Sequence, residues 1–502
     1  MEPRDHECPW RDETIELRRV IAELTLRHQR ELDELTAKVT AGASALEALE
    51  RRVLGPKSEK MPAPANELRR TERKEDAEAR RLAGLERRRQ RAALKQKLQR
   101  QTVIHHVSEE AKKCPQCGGT AGRAVGDGKK TTIYEYVPGY FVRQEHVQEK
   151  QACRCGQYIA TADPPPRALD KSQYGAGFIA HLIVMKCADS IPLHRLAKQY
   201  QRLGIPMARS TLTDLFHAAG EKLEPLWKRL LAVIAASDVV QADETSMKMQ
   251  RPNKRGFVWT FLAEDLIAYR FAEDRSGETP VQVLGGTSGT LVIDGYTGYN
   301  RVTDVDGRDR AGCLAHVRRK VFDALPSAPE AARRGLELIL EVYRVEHEAK
   351  TLKIVRTPEH LTMRQTRSRA AMDALRRWLV EEQPRHLPKG PLGMAIGYAL
   401  NQWDRLLCFI DNVNIPIDNN ASESALRVVA LGRKNFLFVG DLEAGNHLAA
   451  LYSLVSTCEA HGIDPVAYLK DVLMRVDAHP ASRIDQLLPH NWTPPLSWTA
   501  AA

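Results

Sequence analysis

The chain has 502 residues, of which 43% are hydrophobic and 27% are charged, and it carries a net charge of +10. At about 100–200 residues per domain, this length predicts three or four domains. The longest apolar run, Leu230–Ala236, is far shorter than the ~20 residues that cross a bilayer, and the N-terminus lacks the apolar segment of a signal peptide. Membrane and secreted classes are therefore excluded, and we expect a cytoplasmic protein.

Residues 1–56 are predicted to form a coiled-coil oligomerisation helix. Apolar residues recur at spacings of three and four, beginning with Leu17, Ile21 and Leu24 and resuming at Leu32 after a slip. Such a narrow apolar seam can be buried only against another helix. We expect a homo-oligomer, a dimer or higher; an intramolecular helical hairpin is the alternative.

Residues 57–104 are predicted to be a basic helical linker. The overlapping segment 51–100 contains 17 Lys and Arg residues against 7 Asp and Glu residues, a net charge of +10 that equals the excess of the whole chain. A local basic block indicates a polyanionic partner, most often nucleic acid. The alternative is a solvated, charge-rich helix. The candidate phosphate contacts are Arg87, Arg88, Arg89 and Arg91.

Residues 105–163 are predicted to be a β module that binds zinc. Segments 131–137 and 140–146 are rich in β-branched and aromatic residues, as strands require. Two close cysteine pairs would supply four thiolates to one structural zinc ion. His146 could replace one thiolate, and reduced cysteines in a small core are the alternative. The four predicted ligands are Cys114, Cys117, Cys153 and Cys155.

Residues 164–236 follow a proline-rich linker and are predicted to be helical. Segments 192–203 and 210–219 are typical of a helix-turn-helix, with Ser210 as the expected N-cap of the second helix. Arg209 and Thr211, at the start of that helix, would then contact DNA. Helix pairing by packing alone is the alternative.

Strands are predicted at 238–247, 256–263, 267–272 and 290–293, and three acidic residues stand near the ends of regular elements. Asp243 lies in the first strand, Asp294 ends the last, and Glu423 opens a later helix. Converging carboxylates can hold two magnesium or manganese ions, which promote phosphoryl transfer by stabilising the attacking and leaving oxygens.

These motifs resemble those of a transposase of the DDE class, and specifically the TnpC-type enzyme of the IS66 family of bacterial insertion sequences. The resemblance rests on Cys114–Gly119, Asp243–Thr245, Asp294–Tyr296 with Gly298 and Tyr299, Asp418–Glu423 and Gly432–Phe438. It implies a multidomain α+β protein with an RNase-H-like α/β catalytic core. The expected ranges are 237–440 for the core, about 318–412 for an all-helical insertion within it, and 441–502 for a C-terminal helical tail.

The resemblance also implies an activity. The protein would cleave the ends of its insertion sequence and join the freed 3′-hydroxyl groups to target DNA. Asp243, Asp294 and Glu423 would be the catalytic ligands of two magnesium or manganese ions. The expected partners are double-stranded DNA and accessory transposition proteins, and the expected location is the bacterial nucleoid. Further candidate DNA contacts are Arg318, Arg319, Arg427, Arg433 and Lys434.

Several features leave other interpretations open. The second cysteine pair is C-x-C rather than C-x2-C, and Ser424 follows the catalytic Glu where a basic residue is common. Cys313 and His316 resemble a C-x2-H metal signature; a core cysteine and a helix-start histidine are the alternative. Two rival functions are a zinc-ribbon DNA-binding regulator without catalysis and a stand-alone RNase-H-like nuclease.

Overall fold

The computed structural model describes residues 164–494 except 171 and 304–306, together with short stretches within 16–32, 81–89 and 139–161. The described residues within 16–32 and 81–89 are helical, and those within 16–32 are exposed. Arg89 belongs to this helical part and is exposed. The other predicted ligands and contacts of the N-terminal region lie outside the described residues: Arg87, Arg88, Arg91, Cys114, Cys117, Cys153 and Cys155.

The cysteine-containing region includes one small antiparallel hairpin. Strand β1 (Lys150–Ala152) pairs with β2 (Ile159–Thr161). The described residues 141–148 belong to no strand, so the strand expected at 140–146 is absent there. Phe141 instead packs on Phe178 and Tyr200, with ring centroids 5.4 and 5.5 Å apart. Packing of this aromatic side chain against the helices has overridden its β propensity.

Between the described residues 164 and 236 the chain forms four helices, in a segment predicted to be helical. Their buried faces include Leu196, Leu212 and Leu215, which join one apolar core. The expected cap is wrong, however, because the third helix starts one residue before Ser210 and its N-cap is Ala208. Residues 208–210 are exposed, so water can satisfy the first N–H groups without a side-chain cap. The helices are α1 (Ala176–Cys187), α2 (Leu193–Arg202), α3 (Arg209–Lys222) and α4 (Glu224–Ala235).

One mixed sheet forms the centre of the described region, in the order β5-β4-β3-β6-β7. Strands β3, β4 and β5 are antiparallel neighbours, whereas β6 and β7 continue the sheet in parallel and β8 pairs in parallel with the far end of β3. The four strands predicted at 238–247, 256–263, 267–272 and 290–293 all form. The strands are β3 (Val239–Met249), β4 (Lys254–Ala263), β5 (Leu266–Ala272), β6 (Thr290–Val292), β7 (Asp309–Ala311) and β8 (Phe438–Val439).

Helix α5 (Glu278–Leu284) follows β5, and α6 (Asn300–Thr303) follows β6. The chain from 314 to 411 is then helical, as predicted for about 318–412. Trp378 and Trp403 are buried there as core anchors. The helices are α7 (Leu314–Asp323), α8 (Pro329–Leu352), α9 (Pro358–Met363), a π-helical turn (Arg364–Ser368), α10 (Arg369–Glu382), α11 (Pro391–Asn401) and α12 (Trp403–Asp411).

The last helices complete the core. Tyr269 N–H, on β5, donates to Ser453 Oγ at 2.8 Å, and most of the helix that carries Ser453 is buried. The start of the predicted C-terminal tail therefore packs directly on the sheet. Among the described residues, no helix has the length and apolar character needed to span a membrane. These helices are α13 (Asn420–Phe436), α14 (Leu442–Ala460) and α15 (Pro465–Arg475).

Candidate active site

Two neighbouring parallel strands position the first two acids. Gln241 of β3 lies opposite Val292 of β6, and Asp243 and Asp294 each stand two residues further along. Because side chains alternate with a period of two, both carboxylates follow the face of those paired residues. Each carboxylate is also held locally: Glu244 N–H donates to Asp243 Oδ1, and Tyr296 N–H to Asp294 Oδ1, both at 2.8 Å.

The third acid reaches the sheet because the start of α13 is tied to β3. The buried side chain of Asn419 donates through Nδ2 to the carbonyl oxygen of Ala242 at 2.8 Å, next to Asp243. Asp418 accepts from Asn420 N–H at 3.1 Å and from the Tyr343 hydroxyl at 2.9 Å. The first turn of α13, which contains Glu423, is therefore fixed from two sides.

The three acids interact electrostatically. Burial raises the pKa of Asp243 to about 7; the Glu244 N–H opposes this shift, and the negative charges of Glu244, Asp294 and Glu423 add to it. Glu423 accepts from Arg319 through Oε2 at 3.1 Å, while its buried Oε1 has no hydrogen-bond partner. A divalent cation would relieve both the mutual repulsion and the unpaired oxygen.

The donor set therefore fits hard oxygen-seeking ions such as magnesium or manganese. Within the described part of the chain, no three acidic, histidine or cysteine side chains are already close enough to hold one metal ion. Glu423 is engaged with Arg319 and lies 3.8 Å from His316 Nε2, so it would have to exchange these neighbours to join a shared ion.

Three models of known families match this chain. The transposase IS66 family matches residues 171–447, the IS66 C-terminal element matches 453–490, and the zinc-finger binding domain of transposase IS66 matches 111–156. The chain belongs to the IS66 transposase family. Membership supports a role as a transposase, with DNA as partner and with use of divalent metal ions and zinc. The zinc-finger match includes all four predicted zinc ligands.

Relatives of this IS66-family chain occur in Sinorhizobium fredii. It is 30% identical to uncharacterized protein y4hP in an alignment of 414 residues, which covers 77% of this chain and 74% of the relative. It is likewise 30% identical to uncharacterized protein y4jD in an alignment of 410 residues, which covers 77% of this chain and 79% of the relative.

A buried network behind the acids was not predicted from the sequence. The Glu244 side chain is only 2% exposed; Arg275 Nε donates to its Oε1 and the Tyr299 hydroxyl to its Oε2, both at 2.7 Å. Arg310 donates to the carbonyl oxygens of Asp294 and Tyr296 at 2.7 and 2.9 Å. The network joins the backbone segments that carry the two aspartates. Glu244 had one sequence signal, its place beside Asp243, and Tyr299 belonged to the Gly298-Tyr299 string of the family resemblance.

Cys313 is a core residue in this transposase. It is 1% exposed and caps α7, and Asn419 N–H donates to its Sγ at 3.2 Å. Burial raises the pKa of this thiol to about 12, which disfavours the thiolate that metal binding requires. The structure therefore favours a core cysteine and a helix-start histidine, His316, over the C-x2-H metal signature.

The candidate DNA contacts have different surroundings. Arg209, Arg427 and Lys434 are exposed, whereas Thr211, Arg318 and Arg319 are half-buried. Arg433 is also half-buried, and its Nη1 donates to Thr245 Oγ1 at 3.2 Å and to Ser246 on β3. Arg433 therefore holds α13 on the sheet. Arg319 contacts one of the acids, Glu423, directly.

Proposed function

We propose that this transposase cleaves the ends of its insertion sequence and joins the 3′-hydroxyl ends to target DNA. Asp243, Asp294 and Glu423 would hold two magnesium or manganese ions. The observation that carries the proposal is the arrangement of the three acids: adjacent parallel strands carry Asp243 and Asp294, and Glu423 stands on a helix whose start is hydrogen-bonded to β3.

We further propose that the catalytic core is RNase-H-like, over about 237–440 with a helical insertion. In support, three antiparallel strands are followed by two strands parallel to the first, and the sheet has the order β5-β4-β3-β6-β7. The three acids lie in the middle of β3, two residues after the end of β6, and in the first turn of α13. The helices between β7 and α13 would be the insertion.

The protein's own side chains would prepare the site for the reaction. When bound, the two ions would supply a nucleophile at neutral pH and neutralise charge on the phosphate. Asn419 and Tyr343 fix the start of α13, while Arg310 fixes the turn after Asp294. Arg319 restrains Glu423 before the ions bind. Water would attack the phosphodiester at the element's end and break its P–O3′ bond, which frees the element's 3′-hydroxyl group and leaves a 5′-phosphate on the flanking DNA. That hydroxyl would then attack a phosphodiester of target DNA and displace the 3′-hydroxyl of the cut target strand.

The remaining parts of the proposal concern the N-terminal half. We propose that 1–56 mediates homo-oligomerisation, that the basic segment 57–104 contacts DNA phosphates, and that the four cysteines hold one structural zinc ion. In support, the described residues within 16–32 are helical with exposed apolar side chains, and the zinc-finger match covers the cysteines. Helices α2 and α3 would form the helix-turn-helix.

A magnesium-dependent cleavage assay on a plasmid that carries the element's ends tests the central proposal. Asp243→Asn, Asp294→Asn and Glu423→Gln should each abolish strand cleavage and leave DNA binding largely intact. Asp265→Asn, the same chemical change at an exposed position, should cleave normally. Full cleavage by all three site variants would refute the assignment. DNA binding without cleavage by the wild type would favour the regulator, and cleavage without joining would favour the nuclease.

A further inference from the structure

A cavity separate from the three acids lies beside the segment 192–219 that is proposed as a helix-turn-helix. Its volume is about 860 Å³, and it is lined by residues of α1, α2, α3, the end of α13, β8 and the first turn of α14. None of the three catalytic acids lines it. This volume is within the range of sites for drug-sized ligands, about 300–1,000 Å³. The lining side chains include Lys186, Arg209, Phe216, Phe436, Phe438 and Glu443.

Lys186 stands out in this cavity because its ammonium group is largely buried and packs on two aromatic rings. Its Nζ lies 3.9 Å from the ring centroid of Phe436 and 5.3 Å from that of Phe216. Burial lowers the pKa of its ammonium group to about 8, and among the described residues no carboxylate contributes to that pKa or pairs with it. A largely desolvated cation without an anion is costly. An anionic ligand would complete the site.

The other lining groups indicate which kind of anion. Arg209 is exposed at the first residue of α3, and Phe438 is 42% exposed. A cation and an accessible aromatic face are the two elements that bind an unpaired nucleotide, through its phosphate and its base. Two acids also line the cavity, but Asp441 accepts from Ala444 N–H as the cap of α14, and Glu443 is exposed to solvent.

We infer that this cleft binds an unpaired segment of the DNA strand on which the transposase acts, one or two nucleotides long. A phosphate would lie at Lys186 and Arg209, and a base would stack on Phe438. The bases of an intact duplex are already stacked on each other, so only an unpaired base could use this ring. This inference rests on the proposed function, since the DNA is the substrate of that reaction.

The length of α13 predicts where on the strand the contact occurs. Glu423 and Phe436 lie 13 residues apart on this continuous helix, which at 1.5 Å per residue is about 20 Å. For a strand that runs alongside α13 at about 3.4 Å per stacked nucleotide, the cleft would hold a nucleotide roughly six positions from the phosphodiester that is cleaved.

Fluorescence anisotropy on the full chain tests the inference, with all variants made in the Asp243→Asn background so that no cleavage intervenes. The probes are a blunt duplex of the element's end and the same duplex with a single-stranded tail. Lys186→Met and Phe438→Ala should each weaken binding of the tailed DNA about tenfold, and change binding of the blunt duplex less than about twofold. Lys186→Arg should retain tail binding. Lys228→Met, at an exposed position on α4, is the matched control.

A crosslinking measurement gives a second, independent readout. A 5-iodouracil placed at successive positions of the tail should crosslink to Phe436 or Phe438 only when it stands about six nucleotides from the phosphodiester that is cleaved. Unchanged affinity of both variants for the tailed DNA would overturn the inference, as would an equal loss for both DNAs, which would indicate a duplex surface. If tail binding behaves as expected but the wild type never cleaves, the proposed function fails and the cleft assignment stands.

Discussion

Replacing Asp243 by Asn should stabilise the metal-free protein at neutral pH. Burial and neighbouring carboxylates raise the pKa of Asp243 from 3.8 to about 7, so folding favours its protonated form. Below the unfolded value of about 4, the group is protonated in both states and has no effect on stability. As the pH rises from about 4 to about 7, the unfolded chain loses this proton first, and the wild-type protein therefore loses stability.

The size of the effect follows from the two pKa values. At about 1.4 kcal/mol for each pH unit, the loss is on the order of 4 kcal/mol by pH 8 and about 1.5 kcal/mol at pH 5. Asn cannot ionise, so Asp243→Asn should unfold at a higher urea concentration than the wild type, with a gain that grows between these two pH values. Asp265→Asn, at an exposed position, should show no such gain.

Urea titrations followed by tryptophan fluorescence measure this gain, because Trp227 and Trp259 are buried in the core. They should be done without magnesium or manganese and without a chelator, which would also remove zinc. Added magnesium should then stabilise the wild type more than Asp243→Asn, since a ligand that binds the folded state stabilises it. A gain that is below about 1 kcal/mol at pH 8, or that is equal at pH 5 and pH 8, would refute the reasoning.

Three further predictions concern other parts of the chain. Replacing Cys114 and Cys117 by Ser should reduce the zinc content from about one ion per chain to none by elemental analysis, because metal binding and folding of this module are coupled; retained zinc would contradict the ligand set. Replacing the four arginines at 87, 88, 89 and 91 by Gln should flatten the dependence of DNA affinity on salt, by about 0.9 per lost phosphate contact in the log–log slope; an unchanged slope would make this segment a spacer. Tyr343→Phe removes the hydroxyl that donates a hydrogen bond to Asp418 and should lower the cleavage rate about tenfold without changing DNA affinity. A rate equal to that of the wild type would show that the Tyr343–Asp418 hydrogen bond does not position α13.

The regular elements of the fold were largely predictable. The exceptions include two very short strands and the cap of one helix. Strand β3 and its neighbours are long enough to show β-branched and aromatic enrichment. Strands β7 and β8 have three and two residues, too few for a pattern, and they exist because β6 and β3 offer them free hydrogen-bonding edges. The cap at Ser210 failed because solvent satisfies the helix start.

The acids of the site could be found from the sequence, but their supports could not. Asp243 lies within a recognisable strand, Asp294 just after another, and Glu423 in the first turn of a helix. Glu244 is held by Arg275, 31 residues away, and by Tyr299, 55 residues away. Such pairings depend on how the sheet and loops pack, and no local pattern signals them.

The most direct test of the central claim is strand joining from a pre-cleaved end. A duplex of the element's end with a free 3′-hydroxyl group would be incubated with the full chain, magnesium and a target plasmid, and the junctions would be sequenced. We expect covalent junctions with the wild type and none with Glu423→Gln, although both bind the duplex. Absence of junctions with a wild-type protein that binds the duplex, or equal joining by Glu423→Gln, would contradict the account.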